Sequence, residues 1–118
     1  MGGIILGKVI KRDSSKVDFN RQKIVDAILK AFIEVDGTIY EEDTANDIAD
    51  EIKEIVDKRE ADITVESIQD MVEEYLMRSE RKDVARAYIR FRYKQEAARS
   101  YKNDFIEAIR IKLNADNV

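Results

Sequence analysis

The sequence predicts a mainly α (α+β) fold: a small N-terminal β-hairpin capping a four-helix cluster, with a C-terminal helical extension. Three observations carry this. Apolar residues recur at three- and four-residue spacing in four successive segments. Capping residues and a glycine stand where helices should begin and end. The one stretch of weak alternation is short and lies near the N-terminus.

The elements follow in order. Lys8-Val9-Ile10-Lys11 and Lys16-Val17-Asp18-Phe19 read as two strands around a polar turn at Asp13-Ser14-Ser15. A lone hairpin of this size is marginal and must pack on something. Asn20 is a good N-cap, and Ile24, Ala27, Ile28, Ala31, Phe32 and Val35 form the apolar stripe of a first helix. Gly37 ends it, because a glycine tolerates the left-handed conformation just past a helix. A second helix runs from about Asp43 to Arg59, with Ala45, Ile48, Ala49, Ile52 and Val56 inward and acids outward. Thr64 caps a third, with Glu66 near the positive end of its dipole and Ile68, Met71, Val72, Tyr75 and Leu76 as its stripe. A fourth starts near Asp83, where Val84, Ala87, Tyr88 and Phe91 share one side and Arg86, Arg90 and Lys94 another. The pattern continues through Phe105, Ile106 and Ile109 into a tail too short to build a core of its own. The expected division is a tail at 1–7, one domain at 8–100 and a helical connector at 101–118.

Composition removes whole classes of chemistry. The 118 residues suit a single domain. With no Cys there are no disulfides, thiolates or zinc-ribbon ligands, and with no His the commonest general base and metal ligand is missing. No catalytic residue and no metal site are expected. No apolar run approaches the roughly 20 residues of a membrane helix, so no membrane partner is expected and the cytoplasm is the default compartment.

Charge is segregated. Residues 34–74 carry 16 acids and 3 bases, while 1–33 carry 7 bases and 3 acids, and 78–102 carry 9 bases and 3 acids. The acidic block reads as a solvated face. Two basic segments flanking it could share an anion if the fold brings them together. The candidates are Lys11 and Arg12 on the hairpin, Asn20, Lys23 and the free N–H groups at the first helix start, and Arg90 and Lys94 on the fourth helix. Ordinary solubilising bases are the plainer reading of the same residues. Bases interleaved with Tyr88, Tyr93 and Tyr101 also resemble a single-stranded nucleic-acid surface at 78–102. A pI near 5.0 argues against that, and Tyr88 falls on the apolar stripe, with Tyr93 and Tyr101 expected to pack under the tail. A ligand-free helical interaction domain, using the acidic second helix, is the remaining alternative.

Val9-Ile10-Lys11-Arg12-Asp13, then Val17, Phe19, Asn20 and Lys23-Ile24, resemble the start of an ATP-cone, the allosteric domain at the N-terminus of many ribonucleotide reductases. Ile63-Thr64 with Ile68-Gln69, and Val84-Ala85-Arg86-Ala87-Tyr88-Ile89 with Arg92, resemble its later motifs. The likeness covers roughly 8–100. It implies that Val9, Lys11, Arg12 and Val17 line a nucleotide from the hairpin. Asn20 and Lys23 would meet phosphate or ribose, Ile24 the base or sugar, Val65 and Gln69 the base or ribose edge, and Lys94, with Arg90 beside it, the phosphates. The ligand implied is ATP or dATP, with Mg a candidate companion of the phosphates. The partners implied are the reductase's own catalytic domain and its other subunits. In that family ATP keeps the enzyme active and dATP inhibits it through subunit association. The absence of Cys separates this chain from the family's zinc-ribbon repressor. DFIEAIRIKLNADNV at 104–118 resembles the lead into the catalytic barrel of the anaerobic class, so the chain reads as the regulatory part of an anaerobic ribonucleoside-triphosphate reductase without its catalytic part. One departure stands out: Ser14 replaces the glycine that follows Lys-Arg-Asp, so a different turn is expected there.

Overall fold

The computed structural model describes residues 7–39 and 41–116. Most of the expected N-terminal tail therefore lies outside the described residues. The elements are β1 (Val9–Ile10), β2 (Lys16–Val17), α1 (Arg21–Asp36), α2 (Glu42–Asp57), β3 (Ile63–Thr64), α3 (Val65–Arg78) and α4 (Lys82–Asp116). The protein is mainly α with a small β part, as the periodicities predict.

The sheet corrects the sequence reading in one respect. It has three strands in the order β2-β1-β3, with β1 antiparallel to β2 and parallel to β3. Val9 stands opposite both Val17 and Ile63. The hairpin therefore rests on a strand that the sequence pattern presents only as the approach to a helix cap. Gly7 matters here: a Cβ at that position would lie 2.1 Å from the Ala61 carbonyl oxygen. The close approach lets the Ile63 N–H donate to the Lys8 carbonyl at 2.9 Å and the Lys8 N–H donate to Asp62 at 2.8 Å.

The turn is the second correction. Ser14 adopts φ +70, the left-handed conformation a glycine would supply. The Ser14 N–H donates to the Lys11 carbonyl and the Lys11 N–H to the Ser15 carbonyl, the pattern of a three-residue hairpin closing on a left-handed residue. A left-handed residue thus closes the turn although it is a serine and not a glycine. Asp13 compensates by accepting from both the Ser15 N–H at 3.0 Å and its hydroxyl at 2.6 Å. Ser14→Gly is expected to relieve the left-handed strain, offset in part by a freer unfolded chain, for a net stabilisation of up to about 1 kcal/mol in urea unfolding.

The helix signals act as expected. The Asn20 side chain accepts from the Gln22 N–H, Gly37 closes α1 at φ +76, and the Thr64 hydroxyl accepts from the Ser67 N–H. The chain divides after Tyr88 into two compact units. The core of the first joins Val9 and Ile63 of the sheet to Ile24, Ile28 and Phe32 of α1, Ile48 and Ile52 of α2, Val72 and Leu76 of α3, and Val84 and Tyr88 of α4. All five residues of the α2 stripe are buried. In the second unit Tyr93 is 65% exposed and Tyr101 80% exposed. They do not pack under the tail, because α4 continues as helix where the sequence suggested a covering segment.

Arg81 ties the first unit's loops together. Its guanidinium grips Asp36 with two bonds, at 2.6 and 3.1 Å, reaches Glu41 and Asp83, and sits 5.5 Å from the centre of the Phe32 ring. Asp36 ends α1, where the helix dipole disfavours an acid, so a cation is needed there. These carboxylates raise the Arg81 pKa further, Asp36 foremost.

Candidate functional site

The site grows from the junction of hairpin, β3 and the starts of α1 and α3. β1 delivers Lys11 and Arg12 to the turn, and β2 runs through Asp18-Phe19 into the Asn20 cap. Because β3 pairs with β1 and passes directly into α3, Val65 and Gln69 belong to the same neighbourhood. Arg12 makes that neighbourhood concrete. One guanidinium nitrogen donates to the Gln69 side-chain oxygen at 3.2 Å, and another lies 3.3 Å from a Glu66 oxygen. The structure thus joins two predicted site residues, Arg12 and Gln69, that are 57 positions apart.

The other predicted residues divide by role. Val9 and Ile24 are buried, so their side chains belong to the core. Val17 is 37% exposed and Val65 packs partly against the core. Asn20 caps α1 while remaining exposed. Lys11 and Lys23 are exposed, and among the described residues neither side chain has a hydrogen bond or ion pair. Arg90 and Lys94 belong to the second unit, one helical turn apart on α4, also without such a partner among the described residues.

Three cations near the site but outside the prediction, Lys8, Lys16 and Arg21, are engaged. Lys8 pairs with Asp18, and Lys16 with Asp62 at 2.9 Å. Arg21 pairs with Asp50 at 2.5 Å and donates to the Asn46 side chain at 2.8 Å, tying α1 to α2. The start of α1 is also electrostatically reversed. Its first turn holds no acid, whereas α2 has Glu42 and Asp43, α3 has Glu66 and α4 has Asp83. Arg21 and Lys23 sit there instead, against the helix dipole. Arg21 is neutralised by Asp50, which leaves Lys23 as the uncompensated charge of that turn. Among the described residues no buried side-chain nitrogen or oxygen lacks a partner.

Sequence reasoning missed Glu66 and Asp62 as parts of this region. Asp62 accepts from the Lys8 N–H and pairs with Lys16 across the sheet. Neither link has a local signature, since both acids look like members of the solvated acidic block.

These contacts depress several carboxyls below the usual 3.8. Lys16 and the Lys8 N–H hold Asp62 down, Arg21 holds Asp50, Arg81 holds Asp83, and the Ser15 bonds hold Asp13. The folded state therefore binds fewer protons than the unfolded chain around these values. Their stabilisation is present in full above about pH 4 and is lost as pH falls through the folded values. Urea midpoints are expected to be flat in their contribution from pH 7 to about 5 and to fall below about pH 4, with a shallower acid limb for Asp62→Asn.

Among the described residues no helix is long and apolar enough to cross a membrane. The ATP cone domain family matches residues 7–97, a range that includes every candidate site residue. The chain is 36% identical over 111 residues to the anaerobic ribonucleoside-triphosphate reductase of Haemophilus influenzae, covering 93% of this chain and 15% of that protein. It is 38% identical over 104 residues to the vitamin B12-dependent ribonucleoside-diphosphate reductase of Thermoplasma acidophilum, covering 83% of this chain and 13% of that protein. It is 34% identical over 104 residues to the anaerobic ribonucleoside-triphosphate reductase of Escherichia coli, covering 86% and 14%. The chain thus spans about one seventh of the length of these relatives.

Proposed function

We propose, because the chain belongs to the ATP-cone family, that it is an allosteric adenine-nucleotide-binding domain that controls a ribonucleotide reductase. The observation that carries this reading is the placement of open cations. Lys11 at the hairpin turn and Lys23 in the acid-free first turn of α1 have no side-chain hydrogen bond or ion pair among the described residues, while Lys8, Lys16 and Arg21 are tied to carboxylates. A polyphosphate is the ligand such a start favours, and each charge-assisted hydrogen bond contributes about 1.5–3 kcal/mol.

In this reading Lys11, Arg12, Asn20 and Lys23 hold phosphates or ribose. Val17, Val65 and Gln69 border the base or ribose, and Val9 and Ile24 support the wall from the core. Arg90 and Lys94, on α4, are further candidate phosphate ligands, and Mg accompanies the phosphates. ATP and dATP are the two ligands. Their exchange alters subunit association, for which a coupling of about 1–3 kcal/mol suffices. The domain itself is not catalytic. Its parent is an anaerobic ribonucleoside-triphosphate reductase of the cytoplasm, with 8–100 as the regulatory domain. Residues 101–118 lead toward the catalytic part, a role supported by the exposed Phe105, Ile106, Ile109 and Ile111 on α4.

Titration calorimetry with ATP and dATP is expected to show binding near the micromolar range, and a saturating ligand at about 100 times its Kd should add about 2.7 kcal/mol of stability. A folded sample with no heat and no thermal shift with either nucleotide would leave the ligand-free interaction domain in its place. A salt-sensitive mobility shift with single-stranded DNA, poorly competed by ATP, would instead favour nucleic-acid binding through 78–102.

A further inference from the structure

We propose that Glu66 is an internal counter-anion, holding Arg12 in the ligand-free state and competing for it with the phosphates of an arriving nucleotide; this rests on the adenine-nucleotide reading above. Arg12 and Lys11 are adjacent on the hairpin, yet their environments differ. The Lys11 side chain has no hydrogen bond or ion pair among the described residues, whereas the Arg12 side chain reaches across to α3. Its two terminal nitrogens meet residues one helical turn apart, Glu66 at 3.3 Å and Gln69 at 3.2 Å. A guanidinium binds phosphate best through its paired N–H groups, and a carboxylate on one of them removes that fork from use.

Glu66 is not required to cap α3. The Thr64 hydroxyl does so, accepting from the Ser67 N–H at 3.1 Å. The Glu66 side chain is 39% exposed and that of Arg12 30%, so the pair belongs with surface ion pairs that exchange readily. A triphosphate, bearing several charges, can displace one carboxylate of this kind. Glu66 thereby weakens anion binding by occupying Arg12.

The test is calorimetry of the wild type, Glu66→Gln, Arg12→Ala and the double variant with ATP, with inorganic tripolyphosphate as a probe lacking the base, and with adenosine. Glu66→Gln is expected to bind ATP and tripolyphosphate about two- to fivefold more tightly, with adenosine unchanged. In the Arg12→Ala background the same change should give no gain. Equal or weaker binding by Glu66→Gln overturns the inference, as does an equal gain without Arg12, which would make Glu66 a source of general repulsion only. Thermal melts check the fold, and Glu66→Ser repeats the comparison if Glu66→Gln is unstable. Wild type without ATP binding overturns the nucleotide reading and this inference together; wild type that binds while Glu66→Gln gains nothing overturns this inference alone.

Discussion

Phe32→Ala is expected to remove about 3–5 kcal/mol of folding stability, a large fraction of the roughly 5–15 typical of a domain. Phe32 is fully buried and is the largest side chain in that state. Truncating it opens a cavity in the apolar core that cannot collapse freely. The loss also reaches past the apolar core, because Arg81 lies over the ring while gripping Asp36, Glu41 and Asp83. Without the ring, the cation that joins the end of α1 to the start of α4 loses its support. Phe105→Ala is the natural comparison. Phe105 is 63% exposed on α4, and its removal should move the urea midpoint of the isolated chain very little. A cost below about 1 kcal/mol for Phe32→Ala would contradict the packing described for the core.

Lys11→Ala is expected to weaken ATP and dATP by about 10- to 100-fold, the equivalent of one charge-assisted hydrogen bond of about 1.5–3 kcal/mol, and to leave adenosine nearly unaffected. Its fold should be unchanged, since the side chain is exposed and makes no hydrogen bond or ion pair among the described residues. Lys16→Ala is the informative control. It removes the same charge from the same hairpin, but that charge is matched to Asp62 at 2.9 Å, so triphosphate affinity should fall much less. Lys94→Ala carries the same expectation as Lys11→Ala. Equal losses for adenosine and ATP would refute a phosphate role for either lysine.

Much of the fold was legible because its signals are local. Asn20, Gly37 and Thr64 mark helix ends through bonds to residues two to four positions away. The stripe from Ala45 to Val56 needs only the helical repeat. The short third strand was hidden for the opposite reason. Ile63-Thr64 is two residues long, and what makes it a strand is pairing with Val9-Ile10, far earlier in the chain. Ser14 misled through a sound rule: a serine disfavours positive φ, but the hairpin bonds and Asp13 outweigh that preference.

The candidate site divides along the same line. Residue types already singled out Lys11, Arg12, Asn20 and Lys23, because phosphate recognition demands cations and donors near a helix start, and the resemblance alone added Gln69. Which of those cations are open depends on the tertiary fold. Lys16 and Arg21 looked as available as Lys11 and Lys23 until Asp62 and Asp50 were brought to them from the acidic middle of the chain. Arg12 in turn meets Glu66 only because β3 lies beside β1. Charge along a chain is a local property, but its neutralisation is a matter of distances in space, and those are set by how the helices and the small sheet pack.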